Sequence, residues 1–600
     1  MGSRTSAGFL VALVLSLTFV AYSGVIRYEF VLDDTALIVE NPVVHSWRFL
    51  PRYFTRSLWG FENPNLPGSY YRPVFSFWLR LNHMLFGLNP AGWHLTTLGM
   101  HLAVTLLVYF LAARLLRERL AAIFAAAIFG LHPIHIEAVA WVCGVTDPLE
   151  AALFLGSLLC YLKSRDRELR SRAWMAASLV LYGFAILAKE SAAVLPLIIV
   201  AYKWLYGSPG ERNPGARPHG VRIVRAFQTA VPYLGLIAIY VVMRVRVVKG
   251  LTHTMTEMPL TTVFFTAPSV LWFYVKHMVW PFGLSAFYDT HYVTRFDVSN
   301  FAVPAVGVAI VVGGLGWWAR RNRDAAFAAL LLAAPVLPLL NFRVFLEDEI
   351  AHDRYMYLPS VGFAILCALG WRRLAFGRFR IFGQPGIQVL LTVMIGGVLG
   401  VATAYQSVYW ADNLVLYSHG LKVAPNNTLA KINLANLAVK RGYYAAATNL
   451  YQQVLERRPN FWLANYNLGY AYYKQGKLEE AERSISQATE ANPLNAQEFL
   501  ALGTIRAERG RPEQGERDIR RAIELAPDGA NNHYALGLVL KARGDLSGAL
   551  SEFKAELANN PEQSAAREQV AEIEARIHSA EPQNPRNHRV PVDKFSPGQH

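Results

Sequence analysis

Residues 92–116 read GWHLTTLGMHLAVTLLVYFLAARLL, and Arg114 is the only Asp, Glu, Lys or Arg in this run. An α-helix needs about 20 mostly apolar residues to cross the hydrocarbon core of a bilayer, and this run is long enough. It therefore predicts a transmembrane helix and indicates that the chain is a membrane protein.

Similar apolar runs occur before and after it in the sequence. They cover residues 7–26, 120–140, 147–162, 173–188, 190–206, 226–246, 263–282, 301–319, 324–341, 355–371 and 387–405. The first run is longer than the apolar core of a cleaved signal peptide, so we interpret it as a retained anchor. Only 17% of the residues are charged, whereas soluble domains have about 25%. The sequence predicts an all-α, polytopic membrane domain over residues 1–410.

Short basic clusters between the runs predict how the chain is oriented in the membrane. They lie at 117–119, 163–172, 212–225, 320–323 and 372–380. Arg and Lys are enriched in cytoplasmic loops, so we place all five in the cytoplasm. This location accounts for the net charge of +15 without a nucleic-acid partner. We therefore exclude nucleic acid.

The crossing number between the cytoplasmic loops at 212–225 and 320–323 must be even, although three apolar runs lie between them. We assign 263–282 as re-entrant or interfacial, because Pro268, Lys276, His277 and Pro281 interrupt it. About eleven spans remain. The N-terminus is then cytoplasmic and the C-terminal domain lies on the outer side.

Repeats dominate the sequence after residue 410. Prolines recur every 34 residues, the period of the tetratricopeptide repeat (TPR), at positions 425, 459, 493, 527 and 561. Leucine and a small residue recur at 434–435, 468–469, 502–503 and 536–537, and a second small residue follows at 447, 481, 515 and 549. We predict a four-repeat TPR α-solenoid with a capping helix over 425–578 and a disordered tail over 579–600. Such arrays usually bind a protein in their groove, so we expect a protein partner.

Asp33 and Asp34 follow the first apolar run on the predicted outer side. A carboxylate close to the membrane can act as a general base for the hydroxyl of an acceptor. The alternative is a solvated pair of acids in a loop.

A second polar group lies between two apolar runs and contains His132, His135 and Glu137. These side chains can bind a metal, a phosphate or a sugar, or can serve as polar groups at a helix end. We assign no metal. The three cysteines, Cys143, Cys160 and Cys367, offer neither a zinc spacing nor a disulfide framework.

Further candidates supply positive charge near the outer ends of spans. They are Arg72, Lys189 with its neighbour Glu190, Arg244 and Arg354. A guanidinium group binds phosphate oxygens in pairs, so Arg354 is a candidate for holding a lipid phosphate. The alternative for Arg354 is a salt bridge to one of the neighbouring acids in residues 347–353.

Several of these residues lie in longer motifs. The motifs read FVLDDTALIVENP (30–42), YYRPV (70–74), LNHMLFGLNPAGWHL (81–95), FGLHPIHIEAVAWVCGVTDPLEA (129–151), LAKESAAVLPL (187–197) and HDRYMYLPSVGF (352–363). Their order and the repeats that follow them resemble the transmembrane and tetratricopeptide-repeat O-mannosyltransferases and their bacterial relatives. The resemblance extends over about residues 8–575.

This resemblance implies a GT-C glycosyltransferase fold, a polyprenyl-phosphate sugar as donor and inversion at the anomeric carbon. It maps a catalytic aspartate onto Asp33 or Asp34, and we prefer Asp33. Arg72, His132, His135, Glu137, Lys189, Glu190 and Arg354 fall on its other motif positions. No cofactor beyond the lipid-linked donor is required, and a divalent metal is optional. With only four repeats and no endoplasmic-reticulum retention signal, we expect a bacterial inner membrane with periplasmic repeats.

We therefore expect a membrane glycosyltransferase whose repeats recruit an acceptor protein. Two alternatives remain: a non-catalytic membrane anchor for a TPR scaffold, and a transferase that acts on lipid or cell-wall glycan. Acids, histidines and arginines clustered on the outer side favour an enzyme, since an anchor needs no charge near the bilayer.

The predicted orientation can be tested with reporter fusions. A reporter fused after residue 425 should be active only if it functions outside the cytoplasm. The same reporter fused within 320–323 should be inactive and serves as the control. Activity of a cytoplasm-only reporter after residue 425 would contradict the orientation.

Overall fold

The computed structural model describes residues 2–59, 70–166, 170–207, 219–250, 258–374, 379–381 and 384–579. The chain forms two compact units, Met1–Asn427 and Thr428–His600. The first unit extends past residue 410 because it includes a further helix, Asn413–Val423. Residues 212–218 of the basic loop at 212–225 and residues 580–600 of the predicted tail lie outside the described residues.

The first unit is built from helices. They are α1 (Gly2–Tyr22), α2 (Leu50–Thr55), α3 (Pro73–Phe86), α4 (Pro90–Leu116), α5 (Arg119–Leu131), α6 (Ile136–Ala140), α7 (Thr146–Ser164), α8 (Ser171–Ala188), α9 (Leu195–Tyr206), α10 (His219–Val248), α11 (Leu260–Val279), α12 (Val303–Arg321), α13 (Arg323–Ala333), α14 (Pro359–Arg372), α15 (Gly386–Ser407) and α16 (Asn413–Val423). Among the described residues, strands are limited to the antiparallel pair β1 (Arg380–Ile381) and β2 (Gln384–Pro385). The all-α prediction is confirmed.

Eight segments of the described chain are long and apolar enough to cross a bilayer. They are Ala7–Arg27, Pro90–Leu116, Cys143–Ser164, Ser171–Ala188, Val224–Val248, Val298–Arg321, Arg323–Leu340 and Gly386–Trp410. The pair Arg119–Leu131 and Pro133–Ala140, bent by 49°, makes nine if it counts as one span. The polytopic prediction is confirmed, with eight or nine such segments where the sequence predicted about eleven.

The difference in number comes from two predicted spans that contain short helices. Helix α9 in 190–206 has 12 residues and α14 in 355–371 has 14. At 1.5 Å per residue these helices are about 18 and 21 Å long, less than the roughly 30 Å hydrocarbon core. Non-α turns precede both helices, at Glu190–Val194 and Asp353–Met356.

The segment at 263–282 was predicted to be re-entrant or interfacial, and the structure bears on the first of these alternatives. Helix α11 continues without a break through Pro268 for 20 residues. A re-entrant turn within residues 260–279 is therefore excluded, because a single helix occupies them. The interfacial alternative stays a prediction.

Breaks between helices in the first unit determine where the polar motifs lie. Pro133 disfavours helical geometry in the residue before it, so α5 ends at Leu131 and the chain bends there. Helix α14 is held against α13 through Gly362, where an added Cβ would lie 2.4 Å from the carbonyl oxygen of Ala328. The segment that carries Arg354 leads directly into α14 and is fixed by this contact.

The second unit contains four helix pairs and a last helix. They are α17 (Thr428–Lys440), α18 (Tyr444–Arg457), α19 (Trp462–Lys474), α20 (Leu478–Ala491), α21 (Ala496–Glu508), α22 (Pro512–Leu525), α23 (Asn532–Ala542), α24 (Leu546–Asn559) and α25 (Ser564–Ser579). Within each pair the turn contains a glycine with positive φ: Gly442, Gly476, Gly510 and Gly544. Only glycine adopts this backbone conformation without a steric penalty.

The small residues of the repeats lie where the paired helices approach each other. A Cβ on Gly503 would lie 2.6 Å from the carbonyl oxygen of Gly515, and one on Gly515 would lie 2.5 Å from that of Gly503. Helices α21 and α22 can therefore pack at this distance only with glycine at both positions.

This contact makes Gly515→Val a test of the repeat packing. The added side chain must push α21 and α22 apart, and overpacking of this kind costs about 1–3 kcal/mol. We expect the denaturant midpoint of the repeat unit to fall accordingly. Gln487→Val adds a β-branched side chain at an exposed position of α20 and is the control. An equal, small effect of both substitutions would contradict the close approach.

Candidate active site

Asp34 holds the first loop of the membrane unit in place. Its side chain is fully buried. Its Oδ1 accepts a hydrogen bond from the backbone N–H of Cys143 at 2.8 Å, and its Oδ2 accepts one from the N–H of Val31 at 3.2 Å. Cys143 lies just before α7, so Asp34 joins the loop to the start of that helix.

The loop turns sharply at Leu32, whose φ is +52°. A bulky side chain in this left-handed conformation costs about 1–3 kcal/mol, which the surrounding contacts must offset. One such contact is the hydrogen bond from the N–H of Leu32 to Oδ1 of Asn413, at 3.0 Å. After this turn, Asp33 is exposed while Asp34 is buried.

Asp33 is solvent-accessible but is surrounded by protein. Loss of water around the carboxylate raises its pKa to about 6, although the guanidinium of Arg354 acts in the opposite direction. Burial also raises the pKa of Asp34, to about 7, against the hydrogen bonds that it accepts. A carboxylate with these properties, open on one side and close to neutral pKa, is suited to accept a proton.

Glu137 is the centre of a second group of contacts. It accepts hydrogen bonds from the guanidinium of Arg354 and, at 3.0 Å, from the backbone N–H of the same residue. Nδ1 of His352 lies 3.3 Å from its carboxylate. The ion pair predicted as the alternative for Arg354 exists, but its partner is Glu137 and none of the acids in 347–353.

Lys189 and Glu190 are adjacent in sequence but bind different partners. Nζ of Lys189 lies 2.5 Å from Oδ1 of Asp147. Glu190 accepts two hydrogen bonds from Arg72, at 2.9 and 3.1 Å. Lys189 has an extended backbone between α8 and the following turn, and this break in the helix separates the two side chains. Arg244 is buried in α10 and its charge acts on Glu190.

Aromatic rings connect these charged groups. The guanidinium of Arg354 lies 5.0 Å from the ring centroid of Trp141 and 5.1 Å from that of Tyr355. Nζ of Lys189 lies 5.5 Å from the same Tyr355 ring. The structure thus brings Asp33, Arg354, Glu137, Lys189 and Asp147 into one electrostatic neighbourhood.

The pairing leaves some of the cationic groups available to a ligand. The Arg354 and Arg72 side chains keep 18% and 14% of their surface exposed. Arg72 donates to Glu190 through Nε and Nη2, which leaves Nη1, and Lys189 has three N–H donors. A phosphate oxygen can therefore bind these side chains without breaking their ion pairs.

The two histidines do not join this neighbourhood. Nε2 of His132 bonds to the carbonyl oxygen of Met278 at 3.0 Å, while Nδ1 accepts from the N–H of Ile134. Nε2 of His135 lies 2.8 Å from the hydroxyl of Ser360. Both rings are buried, so the geometry favours the structural role that was one of their alternatives. A role in substrate binding stays a prediction.

Within the described part of the chain, no three His, Cys, Asp or Glu side chains are close enough together to hold a metal ion. A groove of about 620 Å³ lies beside the site. It is lined mainly by apolar side chains of α15, including Val398, Val401 and Tyr405. Gln406 at its edge also borders a small recess that contains Glu137 and Asp353.

Three further residues at the site, Asn413, Tyr288 and Glu150, are identified only by their contacts in the structure. Asn413 supports the Leu32 turn from 381 positions away. The hydroxyl of Tyr288 donates to Asp353 at 2.5 Å, and burial raises the pKa of that carboxyl well above its usual range. Glu150 accepts from Ser191 and is buried near Lys189. Their partners come from distant segments that only the fold brings together.

Comparison with known proteins identifies relatives of the chain. The family model "Tetratricopeptide repeat" matches residues 432–496 and 500–568. Protein O-mannosyl-transferase TMTC3 from Mus musculus is 26% identical over 454 residues, which are 70% of this chain and 48% of that protein. Protein O-mannosyl-transferase F38B6.6 from Caenorhabditis elegans is 26% identical over 72% of this chain and 60% of that protein. The chain resembles the TMTC-type protein O-mannosyltransferases.

The resemblance that the motifs predicted is therefore confirmed, and so are the TPR repeats. The chain spans about half the length of the curated relatives that it matches. Among solved structures, the TPR protein YrrB is 24% identical over 28% of this chain and 85% of its own, with a TM-score of 0.25.

The different contacts of Asp33 and Asp34 predict different effects on stability. Asp34→Asn places an N–H group against a backbone N–H donor, so it should lower the free energy of unfolding by about 1–3 kcal/mol. Asp33→Asn should not lower it, because loss of water already disfavours the charged carboxylate of Asp33 in the folded chain. Thermal unfolding of both variants in detergent, above pH 7, measures the difference. A lower free energy of unfolding for Asp33→Asn, together with an unchanged one for Asp34→Asn, would contradict these roles.

Proposed function

We propose that the chain is a membrane glycosyltransferase that moves a sugar from a polyprenyl-phosphate carrier to a hydroxyl of an acceptor protein. The names of the relatives favour mannose as the sugar. The observation that carries this proposal is the accessible carboxylate of Asp33, whose pKa is near neutral and which faces the charge of Arg354.

Asp33 is the general base in this reaction. Its carboxylate takes the proton from the acceptor hydroxyl while the hydroxyl oxygen attacks the anomeric carbon. The bond from that carbon to the carrier phosphate breaks, and the phosphate leaves with the bonding electrons. A single displacement inverts the anomeric configuration.

The cationic side chains stabilise the leaving group. Negative charge grows on the carrier phosphate as the bond breaks, and donors fixed in advance lower the energy of that state. The guanidinium of Arg354 and Nζ of Lys189 lie 5.1 and 5.5 Å from the centroid of the Tyr355 ring, and the guanidinium of Arg72 lies 4.4 Å from that of Tyr70. The ion pairs with Glu137, Asp147 and Glu190 hold these cations in position.

The remaining parts of the chain fit the other requirements of the reaction. The groove along α15 has the size and apolar lining to accommodate part of an isoprenoid chain. The TPR array recruits the acceptor protein. The site and the repeats lie on the outer side of the membrane, the orientation derived from the basic loops.

The assay uses purified full-length protein in nanodiscs with a labelled polyprenyl-phosphate mannose. Transfer of label to protein in a periplasmic extract supports the proposal. Transfer to lipid or glycan alone indicates a different acceptor. Absence of both transfer and donor hydrolysis in well-folded protein would favour the alternative function, a non-catalytic membrane anchor for a TPR scaffold.

Replacing Asp33 tests the base directly. Asp33→Asn removes the proton acceptor at nearly constant size, and loss of a general base costs about 10²–10⁴ in rate. In the unmodified chain the rate should fall tenfold per pH unit below about 6, because protonation of Asp33 removes the base. Above that pH the rate should be constant, and kcat over the pH range measures both effects.

Glu40→Gln is the matched control, since Glu40 is an exposed acid of the same loop. It should leave both the rate and the pH profile unchanged. Normal turnover by a well-folded Asp33→Asn variant would show that Asp33 is not the base.

A further inference from the structure

A short basic and aromatic segment in the first loop points to a second binding surface. It comprises the 3₁₀ turn Trp47–Phe49, helix α2 and Arg56. Arg48, Arg52 and Arg56 are spaced four residues apart, and all three are exposed. Trp47 and Phe54 keep 37% and 43% of their surface exposed. We call these five residues the arginine–aromatic patch.

The charges of this patch are not neutralised within the described chain. The three guanidinium groups form no ion pair with any acid that the structure describes. Instead, the guanidinium carbons of Arg48 and Arg52 lie 4.5 and 4.6 Å from the ring centroid of Phe49. Stacking on one ring holds two positive charges close together and leaves their N–H donors available for an anion.

Helix α3 continues the patch with exposed apolar side chains. The Phe77 ring lies 5.8 Å from that of Trp47, and the guanidinium of Arg80 lies 4.7 Å from the Trp47 ring. Phe77, Met84 and Leu85 are exposed on α3. With 14 residues, α3 is about 21 Å long and too short to cross a bilayer. Apolar and basic residues side by side on short helices are typical of elements that lie in the membrane interface.

The patch is also connected to the candidate active site. The hydroxyl of the buried Tyr71 donates to the carbonyl oxygen of Phe54 at 3.2 Å. The next residue, Arg72, forms the paired hydrogen bonds to Glu190. The position of α2 therefore bears on the position of a cation in the site.

We propose that the arginine–aromatic patch binds the headgroups of anionic phospholipids in the surrounding bilayer. Guanidinium groups match phosphate oxygens in geometry and charge, and tryptophan favours the depth of the headgroups. Because these three exposed arginines have no acidic partner among the described residues, their donors are available to an anionic ligand, and the exposed apolar side chains beside them place that ligand at a membrane surface. Each arginine near an anionic surface contributes about fivefold in lipid affinity, or about 1 kcal/mol.

The experiment compares lipid retention by the full chain in nanodiscs of phosphatidylcholine with and without phosphatidylglycerol. Native mass spectrometry of the released protein counts the phosphatidylglycerol molecules that stay bound. The unmodified chain should retain this lipid in preference to phosphatidylcholine. The triple variant Arg48→Gln, Arg52→Gln, Arg56→Gln should lose at least about tenfold of that preference.

The control is a second triple variant at three exposed arginines of the repeats, Arg483→Gln, Arg517→Gln, Arg520→Gln. It should keep the preference of the unmodified chain. Thermal unfolding in phosphatidylcholine alone should be the same for all three proteins, because every substituted side chain is exposed. Unchanged retention in the first variant would overturn the proposal.

An acidic protein partner is the competing occupant of the patch. Soluble polyglutamate is added to the chain in phosphatidylcholine nanodiscs to test it. Binding that the first triple variant abolishes, together with unchanged lipid retention, would assign the patch to a protein and overturn the lipid proposal. Lipid retention that depends on the three arginines, without polyglutamate binding, supports it.

Discussion

The carboxylate of Glu137 accepts two hydrogen bonds from Arg354, and the rest of the polar site depends on this pair. Both side chains lie among apolar helices, where an unpaired charge would be strongly unfavourable. The backbone bond from Arg354 fixes the segment before α14 against the bend between α5 and α6. Removing Arg354 would leave Glu137 as a buried charge, so the pair is structural and, at the same time, orients a cation toward the site.

The same principle extends to the neighbouring ion pairs. Lys189 with Asp147 and Arg72 with Glu190 each join two segments that are far apart in the chain. Because Arg354, Lys189 and Arg72 are each held by an acid, these pairs add little excess charge to the site. Its capacity to bind phosphate rests on the remaining N–H donors and their fixed directions, which need no rearrangement when a ligand arrives.

Asp33 and Asp34 show how two identical neighbours acquire different roles. The left-handed turn at Leu32 buries one carboxylate against the start of α7 and leaves the other accessible. Asp34 satisfies two backbone N–H groups and stabilises the loop. Loss of water raises the pKa of Asp33, and the charge of Arg354 limits the rise, so that the pKa is about 6. The strained turn at Leu32 thus keeps the candidate base, Asp33, accessible.

The sequence by itself determined the class of the fold and its two parts. Apolar runs of sufficient length predicted the membrane helices, and the 34-residue period predicted the four helix pairs, because hydropathy and repeat spacing are local properties of the chain. The motif resemblance also identified most of the residues that the structure brings together. The helices α9 and α14 are shorter than the apolar runs that predicted them, since each begins only after a non-α turn that composition does not reveal.

Only the tertiary structure decided which residues pair with which. Arg354 binds Glu137 across 217 positions, and Leu32 binds Asn413 across 381. No local pattern encodes such contacts, because they arise when helices from separate segments pack together. The same packing buried His132 and His135 with partners of their own and left Asp33 accessible. Composition and spacing identify candidate groups, whereas burial and hydrogen-bond partners assign their roles, and both are properties of the folded chain.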